Sequence, residues 1–160
     1  MELIVVISII LLLAGFILPA ISRTRESGKK ANCMSNLRQI GHVLQMYYVD
    51  GNYRYPVCDG LPVVTGPPQF FEVLEPYLKK QNIFHCPSDR VYFESEGSSY
   101  TWNTFLNNAD VDSRTFIVII PGILPHRTPV VIDKESFHRS GYVNALFTDY
   151  HVGEWEGSLK

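Results

Sequence analysis

From Leu3 to Ile21 the chain is an almost continuous run of Leu, Ile, Val, Ala and Phe, interrupted by Ser8, Gly15 and Pro19. A helix through this run has no polar face, so it cannot be the surface helix of a soluble domain. About nineteen residues at ~1.5 Å rise give roughly 28 Å, close to the thickness of a bilayer's hydrocarbon core. The run is a membrane or helix-bundle element, and the remainder of the chain is a domain carried on it.

Three kinds of segment have this composition. A cleaved secretory signal would have a basic start and a shorter apolar core, although Ala20-Ile21-Ser22 could serve as a small-residue cleavage site. A plain signal anchor accounts for the length but not for Glu2, an acid at the edge of an uncharged span. An ionisable group there is costly and marks a functional position by default. The stretch Glu2-Leu3-Ile4-Val5-Val6-Ile7-Ser8-Ile9-Ile10, with Pro19 seventeen positions after Glu2 and then Ala20, resembles the N-terminal motif of type IV pilins and type II secretion pseudopilins.

In that family a short basic leader precedes the acid, whereas only Met1 stands before Glu2 here, so the true start is expected upstream. Arg23, Arg25, Lys29 and Lys30 lie just after the span. Alone, these charges would keep the following domain in the cytoplasm. A basic leader would offset them.

Beyond Ile21 the spacing becomes one-sided. Met34, Leu37, Ile40 (or Gly41), Leu44 and Tyr47 or Tyr48 recur at three- and four-residue steps, with Arg38, Gln39, His42 and Gln45 on the other side. This predicts one long helix, apolar all round and then amphipathic, ending at the turn cluster Asp50-Gly51-Asn52. Pro19 should kink it and Gly28 loosen it. Cys33-Met34-Ser35-Asn36-Leu37-Arg38-Gln39-Ile40-Gly41, with Asn52-Tyr53-Arg54-Tyr55-Pro56 after it, resembles a pseudopilin subgroup with a C-x-x-N-L-(K/R)-Q-(I/L)-G helix and an aromatic-Pro turn.

Gly51 to Pro68 reads as a connecting loop and Gln69 to Leu78 as a short helix limited by Pro76. Short β-rich runs come next, at Ser99–Trp102, Thr115–Ile120, Pro129–Ile132, Val143–Phe147 and His151–Trp155, the last two forming a hairpin through Thr148-Asp149-Tyr150. The expected class is α+β: a long N-terminal helix packed on a small antiparallel sheet, the pilin-like arrangement. Its segments are a membrane or polymerisation half (1–22), an amphipathic half (23–50), a loop-rich connection with a short helix (51–98) and a sheet head (99–160).

Ile83-Phe84-His85-Cys86-Pro87-Ser88-Asp89 resembles the subgroup's (F/V)-x-C-P-x-D stretch. His138 followed by Asp149 resembles its C-terminal His, nine residues, Asp-Gly motif, with ten residues intervening here and Tyr150 in place of Gly. Tyr is unfavourable where φ must be positive, so the turn is expected to change type. Cys33, Cys58 and Cys86 leave one odd thiol whichever pair forms, and three free thiols remain an alternative. On the resemblance, Cys33 in the helix and Cys86 in the Cys-Pro loop are expected to pair, leaving Cys58 on an exposed loop.

The near-balance of 14 Lys+Arg against 16 Asp+Glu gives no clustered basic face, so no nucleic-acid partner is expected. His85, His126, His138, His151, Cys86, Asp89 and Asp149 are metal-ligand types, with Asp149 and His151 at strand ligand spacing, but loop hydrogen bonding is the favoured reading. Some pseudopilins bind calcium in a head loop. Asp110 and Asp112, near Asn107 and Asn108, are the acid-rich loop here, and such clusters are usually turns. No cofactor is expected, and no enzyme, because a nucleophile motif such as G-x-S-x-G is missing.

The resemblance implies a structural subunit of a type II secretion pseudopilus or type IV pilus-like filament, held in the inner membrane with an extracytoplasmic head. Its partners would be prepilin peptidase and other pilin-like subunits packed through their N-terminal helices, with Glu2 pairing with a neighbour's N-terminal amine. The alternative is a membrane-anchored binding module for an envelope component, using an aromatic surface at Tyr92, Phe93, Tyr100 and Trp102.

Overall fold

The computed structural model describes residues 2–59, 66–78, 81–110, 127–138 and 141–157, with backbone alone at Glu2, Pro19, Ala20, Gln81 and Asn82. The expected strand Thr115–Ile120, Asp112 and His126 lie outside these residues.

One helix, α1 (Glu2–Asp50), runs for 49 residues, about 74 Å at ~1.5 Å per residue. Its two halves have opposite environments. From Leu3 to Leu18 every side chain except that of Ala14 is exposed, Leu3 at 72% and Phe16 at 71% among them. The helix that contains this span is long and apolar enough to cross a membrane, and none of its most apolar window is buried inside the protein. Its one hydroxyl, Ser8 Oγ, donates to the Ile4 carbonyl at 2.7 Å, so the span carries that polar group already satisfied.

The second half buries one stripe. Cys33, Leu37, Ile40, Val43, Leu44 and Tyr48 are in the core, while Gln39 and Gln45 on the other side face outward. The helix continues through Pro19 and Gly28 and ends where Gly51 N–H reaches the Tyr47 carbonyl at 2.7 Å. Asn52 and Tyr53 follow with φ of 55° and 61°, the left-handed backbone that reverses the chain.

The buried stripe lies on a four-stranded antiparallel sheet in sequence order: β1 (Tyr100–Trp102), β2 (Pro129–Asp133), β3 (Val143–Phe147) and β4 (Val152–Trp155). Tyr100 pairs with Asp133, Ile132 with Ala145 and Ala145 with Gly153. The register shifts between Pro129 and Val131, and both Val130 and Val131 pack in the main core. A bulge gives consecutive residues that shared direction. Ile132, Ala145 and Phe147, partly covered by Trp155, form a smaller cluster of their own.

The helix sits close over β3: a Cβ on Gly41 would stand 2.9 Å from Leu146 Cδ1. Lys30 pairs with Glu154 of β4, a second tie between α1 and the sheet. Between helix and sheet the chain forms α2 (Phe70–Leu74), a 3-10 turn at Glu75–Tyr77, another at Gln81–Phe84 and α3 (Tyr92–Glu96). The capping box in which Glu72 accepts from Gln69 N–H starts α2, and Pro76 falls in the 3-10 turn that ends it.

Three expectations are corrected. Tyr100 and Trp102 are not a surface patch: they are 0% and 2% exposed, because both side chains pack into the main core with Leu37, Tyr55 and Phe84. Cys58 is buried rather than on an exposed loop, bracketed by Asn107, whose Oδ1 accepts from Cys58 N–H and whose Nδ2 donates to the Cys58 carbonyl. Tyr150 does adopt a positive φ, 64°, in the β3–β4 turn, where its N–H reaches the Phe147 carbonyl at 2.9 Å. The hairpin keeps its turn and Tyr150 carries the strain.

Candidate functional site

Two regions of α1 stand apart from its packing on the sheet. One is the exposed apolar half. Glu2 begins it, and the side chains of Glu2 and Pro19 lie outside the described residues. The other lies just past the apolar span, where three segments converge on a buried cluster.

Glu26 stands about one turn after the span. His138 lies in the β2–β3 connection, where Gly141 N–H meets the His138 carbonyl and Gly141 has φ 76°. The His138 side chain is buried, with Nδ1 3.0 Å from Glu26 Oε1 and Nε2 3.7 Å from Cys86 Sγ. Cys86 is joined to Cys33 in a disulfide, with the Cα atoms 5.1 Å apart at a sequence separation of 53. The three ligand-type atoms of Cys33, Cys86 and His138 lie within 4.8 Å of one another.

The loop that presents Cys86 is held by a chain of hydrogen bonds. Cys86 N–H donates to Ser99 Oγ at 2.9 Å, and Ser99 Oγ–H donates to Asp89 Oδ2 at 2.6 Å. Asp89 also accepts from the N–H groups of Val91, Tyr92 and Phe93. Burial pushes the Asp89 carboxyl up, but these four donors together outweigh burial and hold it below the usual value. Asn36 of α1 donates to the His85 carbonyl at 2.8 Å, fastening the Cys-Pro loop to the helix.

At Glu26, the hydrogen bond from His138 lowers the carboxyl, burial opposes it, and Lys29 and Ser88 add to the lowering. The carboxylate is an acceptor only, so the facing His138 nitrogen, Nδ1, carries the proton of this hydrogen bond. Nε2 is thereby the nitrogen turned towards the sulfur atoms.

His138 and Asp149 occupy different places. Asp149 lies in the β3–β4 turn, paired with His151, whose ring stacks on Phe147 with centroids 4.3 Å apart. His85 stacks on Phe93 at 4.4 Å. Asp110 accepts from the Tyr48 hydroxyl at 3.0 Å, and Asn107 accepts from Trp102 Nε1 at 2.8 Å while bracketing Cys58. These two members of the acid-rich loop are structural partners of the core. Cys33, Cys86 and His138 each stand out in the sequence, though separately. Glu26 does not, and its only local signal is an acid among Arg23, Arg25, Lys29 and Lys30.

No known protein family, curated protein or solved structure matches the chain.

Proposed function

We propose that the chain is a structural, pilin-like subunit of a type II secretion pseudopilus or type IV pilus-like filament. The observation that carries this reading is the division of α1. A half exposed and apolar on every side continues without a break into a half that buries one stripe against the sheet.

A tether needs only to span the bilayer. Here the same rod that would cross it also supplies Leu37, Ile40 and Leu44 to the head's core. Any packing of the apolar half against neighbouring subunits therefore fixes the position of each head. In the membrane the apolar half is solvated by lipid; in a filament the equivalent halves of other subunits replace lipid, and the head projects outward on the extracytoplasmic side.

In this reading prepilin peptidase processes the chain in the inner membrane. Glu2 then pairs with the N-terminal amine of an adjacent subunit, a charge pair that sets axial register in apolar surroundings. The test is Glu2→Ala in cells that assemble the filament. The variant should fractionate with membranes like the wild type while incorporation into sheared filaments falls severely. Normal filament yield from Glu2→Ala rejects the register role, and a variant lost from the membrane rejects the separation of anchoring from assembly.

A further inference from the structure

We propose that the reduced chain binds one zinc ion through Cys33 Sγ, Cys86 Sγ and His138 Nε2, with Glu26 as the positioning residue behind His138. The site comes from geometry. Tetrahedral zinc with Zn–S of about 2.3 Å and Zn–N of about 2.0 Å places sulfur and nitrogen ligands roughly 3.5 Å apart. His138 Nε2 lies 3.7 Å from Cys86 Sγ, and the three ligand atoms fall within 4.8 Å of one another. With the disulfide opened, side-chain rotation at Cα atoms 5.1 Å apart separates the sulfurs enough for both to face one ion.

Glu26 supplies the second requirement. Metal-bound histidine usually donates its other ring N–H to a carboxylate, a backbone carbonyl or water, which fixes the tautomer and the ring plane. The Glu26 carboxylate is that acceptor for His138 Nδ1–H. The third requirement is charge. Cys33 and Cys86 are 0% exposed and His138 is 5% exposed, so two bare thiolates there would be strongly disfavoured. Two thiolates, a neutral imidazole and Zn²⁺ sum to zero. Three protein ligands leave a fourth position for water.

The chain is synthesised with its thiols reduced, so the metal site can form before the disulfide. Binding converts two Cys–SH groups and Zn²⁺ into a dithiolate complex and releases two protons. Oxidation by a second, exchangeable disulfide forms the Cys33–Cys86 bond. Two electrons pass to that disulfide, which takes up two protons as its dithiol, and Zn²⁺ leaves. Either state cross-links α1 (Cys33) and the Cys-Pro loop (Cys86), and the metal state adds the β2–β3 connection (His138).

The test uses the full chain in detergent on a Cys58→Ser background, so that only two thiols remain. Reduced with a phosphine, it should bind one Zn²⁺ per chain in competition with a chromophoric chelator. Co²⁺ should give intense tetrahedral d–d bands and a thiolate charge-transfer band. The oxidised chain should bind neither. Glu26→Gln should weaken binding about 10- to 100-fold and shift the cobalt bands, which loss of packing alone would not do. His138→Ala should remove the tetrahedral spectrum. Should that variant fail to fold, His138→Cys retains a ligand and should give a three-thiolate cobalt spectrum. Absence of stoichiometric binding by the reduced chain, an unchanged spectrum in His138→Ala, or a two-thiolate spectrum in His138→Cys would each overturn the proposal.

Discussion

His138 Nδ1 meets Glu26 Oε1 at 3.0 Å across 112 residues of sequence, tying the β2–β3 connection to α1 just beyond the apolar span. The Glu26 carboxyl titrates below its ordinary 4.5 in the folded chain. A depressed carboxyl contributes stability that is present above its unfolded pKa and is lost as pH falls through the folded value. Glu26→Gln should therefore lower stability by about 1–2 kcal/mol at pH 7, and the variant should show less acid sensitivity below about pH 4.5 than the wild type. Thermal melts of both across about pH 3 to 7 measure this. Parallel acid profiles would rule out Glu26 as the titrating group.

The Cys33–Cys86 disulfide joins residues at a sequence separation of 53. In the chain-entropy model that closure is worth about 4 kcal/mol. Cys33→Ser with Cys86→Ser should lose stability on that scale, measured by denaturant unfolding with a chelator present to exclude metal. A loss under about 1 kcal/mol would mean that the packed helix alone holds the Cys-Pro loop.

Cys58 should be chemically silent in the folded chain. Burial pushes its thiol up to about 12, with Asp59 adding to the rise, and only the thiolate alkylates readily. Iodoacetamide at about pH 8 should label it slowly until denaturant is added. Equal rates with and without denaturant would show that Asn107 does not hold it closed.

Asp133 gives the fold an opposite pH dependence. Its Oδ2 accepts from Asn144 N–H at 3.0 Å and Nδ2 at 2.7 Å, and Oδ1 has no hydrogen-bond partner among the described residues. Burial raises the carboxyl from 3.8 to about 7, against the lowering by Asn144 and Lys30. A raised carboxyl leaves full stability below the unfolded pKa and removes it as pH rises through the folded one, here between about pH 4 and pH 7. The loss is up to about 4 kcal/mol. Asp133→Asn should flatten this slope and melt higher than the wild type at about pH 8. An unchanged slope would place the titration elsewhere.

The head should depend on the amphipathic half of α1. A chain starting at Arg23 keeps Glu26, Cys33 and the buried stripe, and should fold as a soluble species. One starting at Gly51 loses Leu37, Ile40, Val43, Leu44 and Tyr48 from the core. At ~1.5–3 kcal/mol for each large apolar side chain, that exceeds half of a typical stability of roughly 5–15 kcal/mol. Circular dichroism melts decide it, and a cooperative transition from the Gly51 chain would reduce α1 to a tether.

Much of the architecture is legible in short-range pattern. The apolar run, the three- and four-residue spacing from Met34 to Tyr48 and the turn at Asp50-Gly51 place α1, because a helix repeats its face every 3.6 residues wherever it sits. The runs at Ser99–Trp102, Pro129–Ile132, Val143–Phe147 and His151–Trp155 lie within a residue of the observed strands. The five residues of α3 carry no readable period, and their start rests on Asp89 hydrogen bonds to three N–H groups.

By itself the sequence determined that a long helix exists, which half of it must leave water, and where short strands begin and end. Tertiary structure alone decided that Tyr100 and Trp102 face the core, that Asn107 closes over Cys58, and that Glu26, His138, Cys86 and Cys33 come together beside α1. The division has a physical cause. Periodicity is set by backbone geometry within an element, so a few consecutive residues display it. Which residues meet between elements depends on where the chain reverses and how closely α1 can approach β3. That approach is set at Gly41 and Leu146, far apart in the chain, by a clearance that neither residue reveals alone.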